Sequence, residues 1–251
     1  MCDDTRGQSE LLGFGLIFAV VVLTIALVIT TGFVGFNNAQ QYHQSTNTEA
    51  AFTVFASNVD DVTQVGAPSR ATELRLTDAS LSMSSEQSGI DIALDGDPLD
   101  LEGDTETGSV VYDSGSGTTI SYRSGALIRE DDGNSLLFRE PDFVLTEDEV
   151  ILPIVRLSPD GTREIGGTSS VTVRTIDSGT DVLADRKSVS DTMTITLDTP
   201  HVDAWARYFE QYEDDGPVTD VDADVTENSV EVALETDRLS VTVDHVTTSF
   251  Q

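Results

Sequence analysis

The sequence predicts a mostly β chain with a long N-terminal α-helix: a transmembrane helix continuing into a stalk, then an antiparallel β-sandwich-like ectodomain with one late helix. Three observations carry this reading. Leu11 to Phe36 contains no charged side chain. Asn37 to Val65 keeps apolar residues at helical spacing with no proline. From Glu73 onward the apolar period changes to two, the repeat of a strand with one buried face.

The apolar run comes first. A helix rises about 1.5 Å per residue and a hydrocarbon core is roughly 30 Å thick, so Leu11 to Phe36 is long enough to span it. A secretory signal has a shorter apolar region and a small-x-small cleavage site, whereas Phe36-Asn37-Asn38-Ala39 offers none. The run is greasy on every face, and nothing downstream is apolar enough to enclose it as a core helix. Arg6 is the only basic residue before it, and the next is Arg70, too distant to bear on topology. This orientation puts residues 1–7 in the cytoplasm as a leader, 8–36 across the cell membrane in a single pass, and the C-terminal domain in the extracytoplasmic space.

Residues 37–65 read as a helical stalk. Tyr42, Ala50, Phe52, Phe55, Val59 and Val62 fall broadly on one side, and Gly66 and Pro68 end the pattern. Residues 66–251 then form an acidic β-rich domain. ELRLTDASLSM, GIDIALDG, SVVYDSG, TTISYRSG, ALIREDDG, SLLFRE, EVILPIVRL, SVTVRTI, DTMTITLDT, SVEVALE and RLSVTVDHV are short β-type runs punctuated by Gly, Asp, Ser and Pro. One helix interrupts them in TPHVDAWARYFEQY, with Thr199 as N-cap, Pro200 at the first position, and Val202, Trp205 and Phe209 on the buried side.

The 45 acidic residues outnumber the 13 basic ones for a formal charge of −32, and Lys187 is the only lysine. Such a surface repels itself at ordinary ionic strength, while molar salt shortens the Debye length to about 3 Å. Adaptation to extreme salt follows, and nucleic acid is excluded as a partner because displacing its counterions takes cations. Cys2 is the sole cysteine, so no internal disulfide forms. No N-x-[ST] sequon is present.

Catalytic and metal patterns are sparse. His43, His201 and His245 sit in no H-E-x-x-H, and neither G-x-S-x-G nor a phosphate-cradling loop occurs. A triad gathered from distant residues is not excluded by motif, since geometry defines one. Asp220, Asp222 and Asp224 with Glu231 echo the acidic spacing of a calcium loop, but Val225 stands where the sharp turn needs glycine. Asp95, Asp97, Asp100 and Glu102 make a second acidic group of the kind composition alone produces. The expectation is no enzyme, no cofactor and no specific metal.

Arg6-Gly7 followed by Gln8-Ser9-Glu10-Leu11-Leu12-Gly13 and a long apolar helix resembles the class III signal of archaeal type IV pilins and archaellins. VGAPSRATE, VYDSG, ALIRED, LLFREP and Val150-Ile151-Leu152-Pro153-Ile154 are similar to a haloarchaeal single-span pilin-like family. The commonest haloarchaeal pilin start has Ser followed by Pro-Val-Ile-Gly, where this chain has Glu-Leu-Leu-Gly after Ser9. The resemblance implies a prepilin-type peptidase that cuts after Gly7, leaving Gln8 as the new terminus, and a helix retained to pack against other pilin-like subunits. Glu10 at the membrane edge would then meet an α-amine, of its own chain or a neighbour's. Gly13 and Gly15 would let helices approach closely. The implied function is a structural or minor subunit of a type IV pilus-like assembly. The alternatives are a membrane-anchored extracytoplasmic binding module that does not polymerise and, third, an anchored hydrolase.

Overall fold

The computed structural model describes the backbone of residues 5–84, 89–99, 107–190, 192–214 and 216–251, and the side chains of these except 5–12 and 30–44. The chain divides into two compact units, Met1–Asn47 and Thr48–Gln251. Helix α1 (Thr5–Thr63) is a single element that begins in the first and ends in the second.

In the first unit the described apolar side chains stand exposed: Phe14, Leu16, Ile17, Leu23, Leu27 and Val28 each show more than 60% of their surface. The hydroxyl of Thr24 donates to the Val20 carbonyl at 2.7 Å, which satisfies a polar group on an otherwise apolar helix. Among the described residues, no helix is long and apolar enough to cross a membrane. The apolar stretch with described side chains, residues 13–29, rises about 26 Å.

The second unit is β-rich. After α1 come β1 (Ser69–Arg75), β2 (Ala79–Ser84), β3 (Ile90–Leu94), β4 (Asp97–Pro98), β5 (Ser109–Asp113), β6 (Thr118–Arg123), β7 (Ala126–Asp131) and β8 (Asn134–Arg139). There follow β9 (Val144–Leu145), β10 (Val150–Pro159), β11 (Glu164–Gly167), β12 (Ser170–Ser188), β13 (Met193–Asp198), helix α2 (Val202–Glu210), β14 (Val218–Asp224), β15 (Ser229–Leu234) and β16 (Arg238–Phe250). Three sheets result, in the orders β1-β12-β16-β10-β9, β11-β2-β5-β6-β7-β8 and β14-β15-β13-β3-β4. Among the described residues every strand pairing is antiparallel except β10 with β16, which is parallel. Tight hairpins follow from local chemistry: Ser124-Gly125 and Asp132-Gly133 both take positive φ, as a two-residue turn with the twist of its strands requires.

Two buried clusters share the first sheet. One gathers α2 with the third sheet, through Ile92, Ile195, Val232, Trp205 and Phe209 among others. The second gathers the end of α1 with the second sheet, through Phe52, Phe55, Val59, Ile120 and Tyr122. In β10, Val150, Leu152 and Ile154 face the first cluster and Val155 and Leu157 the second; in β16, Leu239, Val241 and Val243 face the first and Val246 and Phe250 the second. Ile154 is paired with Val243, and Val155 with Asp244, so both strands change face at the same rung. The neighbouring β12 carries a register shift between Asp177 and Thr180, and Thr180 is the partner of Asp244. A bulge there twists the strand and re-aims its side chains.

Three sequence expectations shift. The compact outer unit begins at Thr48 rather than at residue 66. Phe52, Phe55, Val59 and Val62, read as one side of the helical stalk, are at most 2% exposed within the core, as is Ala56. Their helical spacing was the signature of a buried face. The late helix starts at Val202 with His201 as N-cap and no side-chain cap bond. Thr199, expected as the cap, instead accepts the His201 backbone N–H at 3.1 Å, tightening the turn before the helix.

Candidate functional site

The helix end is held to the β-rich unit by charge as well as by packing. Arg129 bonds Glu49 of α1 and, at 2.6 Å, Asp131. Arg139 lies 2.5 Å from Asp60, Arg70 lies 2.9 Å from Asp61, and Asn58 donates to the Thr72 hydroxyl at 2.8 Å. Burial raises the Asp60 carboxyl above its ordinary range, and the hydrogen bond and charge of Arg139 pull it back only in part. In a chain with so few cations, these three arginines are spent on one helix.

Of the residues singled out for processing and assembly, Arg6, Gly7, Gln8 and Glu10 lie outside the residues whose side chains are described. Gly13 and Gly15 are described, and a Cβ at either would meet nothing within 4 Å. His43, Asp100 and Glu102 also lie outside the described side chains. Among the described residues no group of His, Cys, Asp and Glu is placed to hold a metal ion. Asp220, Asp222 and Asp224 belong to β14, where Asp222 is the direct partner of Glu231. Asp224 accepts the backbone N–H groups of Thr226 and Glu227 at 2.8 and 3.1 Å. The acidic spacing is therefore strand alternation ending in a turn.

One constellation invisible in the sequence has the layout of an acid–base relay. Strands β6 and β7 are buried on both faces: Ile120, Tyr122 and Leu127 face the cluster containing α1, while Ala126 and Ile128 face the cluster containing α2. Ser121, on the α2 side, is 3% exposed and its hydroxyl lies 3.2 Å from His201 Nε2. Glu130 Oε2 lies 3.0 Å from His201 Nδ1. Arg123, 5% exposed, donates from Nη1 to the Asp198 carbonyl at 3.0 Å. Burial, aided by the Arg123 charge, lowers the His201 pKa from its ordinary 6.5 to about 4, so the imidazole is neutral near pH 7. Glu130 pulls the other way, but about a third of its side chain is in solvent and the contact lacks hydrogen-bond alignment, so its charge is screened.

Serine, histidine and carboxylate in this order are the elements of nucleophilic hydrolysis. The surroundings do not suit it. Ser121 sits mid-strand with Val111 on one side and Ile128 on the other, so the nearby backbone N–H groups serve the sheet and cannot form an oxyanion hole. His201 is only 7% exposed and Ser121 3%, so in the described structure neither side chain opens to solvent. The group fastens α2 to the second sheet. Sequence could have offered only weak hints, namely a serine between two core residues of β6 and a histidine at a helix start.

An open cleft of about 480 Å³ lies elsewhere, lined by Glu147, Val189, Pro217, Glu235, Thr236 and Asp237 among others. Thr236 donates to the Thr146 carbonyl at 3.1 Å. Among the described residues the cleft is lined by three carboxylates and by no cation or aromatic ring.

The architecture is thus a long N-terminal helix whose last turns are built into an acidic, mostly antiparallel β domain. The chain belongs to DUF7289, a family of unknown function whose model matches residues 6–249. No curated protein and no solved structure matches it.

Proposed function

We propose that this chain is a pilin-like, single-pass cell-surface protein with a cytoplasmic N-terminus and an extracytoplasmic β domain. It acts as a structural or minor subunit of a type IV pilus-like assembly and performs no catalysis. Its partners are the lipid bilayer, a prepilin-type peptidase and pilin-like subunits that meet it through the N-terminal helix.

The observation that carries this reading is the division of labour along α1. Residues 13–29 expose apolar side chains on all sides, whereas Phe52 to Val62 are buried among strands. A lone apolar helix with nothing around it needs lipid or other helices to cover it. The described stretch alone is a little short of a roughly 30 Å core, so the span draws on the wholly apolar or uncharged sequence from Leu11 to Phe36. A second feature supports helix contact with other subunits. Thr46, Asn47, Ala50, Thr53, Val54 and Ser57 are exposed and uncharged, and the one acid among them in sequence, Glu49, is paired with Arg129. On a chain of net charge −32, a neutral stripe is where copies approach without repulsion.

Intact mass of the membrane-extracted protein tests the reading. Loss of Met1 to Gly7 and a new terminus at Gln8 is expected. A mature protein that keeps Met1 to Gly7 removes the pilin route and leaves an anchored binding module; loss of everything through Phe36 removes both.

A further inference from the structure

We propose that Ser121, His201 and Glu130 form an acid-operated latch, which fastens the start of α2 to the second sheet and on protonation releases α2 with the aromatic cluster it carries. The latch acts within the β domain and stands apart from membrane insertion or assembly.

Burial keeps the ring neutral near pH 7. In the tautomer with its proton on Nδ1, which faces Glu130 at 3.0 Å without hydrogen-bond alignment, Nε2 accepts the Ser121 hydroxyl at 3.2 Å. A second proton would go to Nε2, turning the acceptor into a donor and forcing Ser121 to rotate its own hydrogen away in a site 3% exposed. The new charge would also face two positive features. The Arg123 guanidinium is the charge that acts against protonated His201. His201 is the N-cap of α2, where the helix dipole is positive. Opposing them is Glu130 on β7, the carboxylate nearest the ring. Asp198 on β13 holds Arg123 through its backbone carbonyl at 3.0 Å, and its carboxylate charge acts on the same guanidinium. Asp203 lies in the first turn of α2 itself. Of the other elements packed on α2, β14 and β15 contribute Val218, Val230, Val232 and Leu234 to the shared cluster, β8 meets Arg207 through the Ser135 carbonyl, and the charges of Glu140 and Asp142 act on Tyr208 further along the helix.

The load behind the latch is aromatic. Trp205 is fully buried, with ring centroids 5.9 Å from Tyr208, 6.1 Å from Phe209 and 6.4 Å from Phe143. It is the only tryptophan in the chain, so its emission reports on α2 alone. If the opened segment regains the ordinary histidine pKa of 6.5 against about 4 in the closed state, the opening equilibrium rises about 120-fold between pH 7 and pH 4.

The test is tryptophan emission and far-ultraviolet circular dichroism of the full chain, in detergent and molar KCl, titrated from pH 7.5 to 3.5. The parent should show a red shift of Trp205 emission below pH 6 with the strand signal retained. His201→Gln keeps an acceptor for Ser121 and cannot be protonated, and it should lose that step, whereas His245→Gln should keep it. A step unchanged in His201→Gln overturns the latch, as does loss of strand signal in parallel with the emission shift. Should His201→Gln fail to fold, histidine ring NMR of the parent decides instead. Titration of the His201 ring well below 6.5 supports the latch, and titration at or above 6.5 overturns it.

Discussion

Replacing Phe55 with alanine asks whether the end of α1 belongs to the β domain's core. Phe55 is fully buried, its ring 6.1 Å from Phe52 at 66° and 5.3 Å from Tyr122 at 81°, both edge-to-face. Removing a buried phenylalanine costs about 3–5 kcal/mol in transfer and cavity terms, of which each aromatic pair accounts for roughly 0.5–1.5 kcal/mol. Val54, one residue earlier on the same helix, is 55% exposed, and Val54→Ala should change stability by no more than about 0.5 kcal/mol. Guanidinium chloride unfolding of the full chain in detergent and molar KCl, followed by circular dichroism, measures both. Because Trp205 lies in the other cluster, its emission shows in the same experiment whether the two cores melt together. A loss below about 1 kcal/mol for Phe55→Ala, or a loss equal to that of Val54→Ala, would refute the argument. A chain begun at residue 66 lacks Phe52, Phe55, Ala56, Val59 and Val62 from the core, and should fold poorly where one begun at Thr48 folds.

The remaining predictions are brief. Dialysis from molar to low salt should loosen the β domain, because the charge of −32 then repels itself unscreened; circular dichroism would show it, and Glu231→Lys, set directly opposite Asp222, should recover roughly 0.2–1 kcal/mol at low salt. Acid should act through His201 with a definite sign: its folded pKa of about 4 lies below the unfolded 6.5, so its contribution of about 3 kcal/mol is whole above pH 6.5 and is lost as pH falls toward 4. Asp60, Asp91 and Asp244, raised by burial, bind protons more readily when folded and so oppose that loss on acidification; stability curves of His201→Gln against the parent separate the two. Glu10→Gln should leave membrane insertion intact and reduce the crosslinked ladder; an unchanged ladder denies Glu10 an assembly role, and no ladder in either protein favours the anchored binding module.

What could be read from the sequence is what repeats in it. The period-two runs fixed nearly every hairpin of the second sheet, because Ser124-Gly125 and Asp132-Gly133 mark turns by their chemistry. The late helix was legible from the spacing of Val202, Trp205 and Phe209, all of which are buried. The same periodicity misled at Phe52 to Val62, since one apolar helical face looks alike whether it meets a neighbouring helix or a sheet. In β12, SVTVRTI was seen but the strand runs on to Ser188, across Asp177-Ser178-Gly179, which reads as a turn and is a bulge. The Ser121–His201–Glu130 group left almost no trace. Its members come from three separate elements, and only the burial of both faces of β6 and β7 brings them together.

Charge placement links the surface to the core. The outer side of the third sheet sets Asp222 beside Glu231, Glu231 beside Thr196 and Thr196 beside Asp91, along one rung. Like charges facing each other across strands destabilise a sheet, as Asp222 and Glu231 do here, while the Asp91 carboxyl at the end of the rung is raised by burial and by the charge of Asp198. Few cations are available to relieve it, because Arg70, Arg129 and Arg139 are committed to α1 and Arg123 to the backbone beside His201. The rung is thus left to the solvent's ions, while Arg70, Arg129 and Arg139 hold the helix. Those arginine pairs are half-buried or better sheltered, with Arg129, Glu49, Arg139 and Asp60 all between 22% and 27% exposed, so molar salt screens them less than it screens the open rung. High salt therefore weakens the repulsion across the third sheet more than it weakens the clamp on α1, and the net effect favours the folded chain with its helix in place.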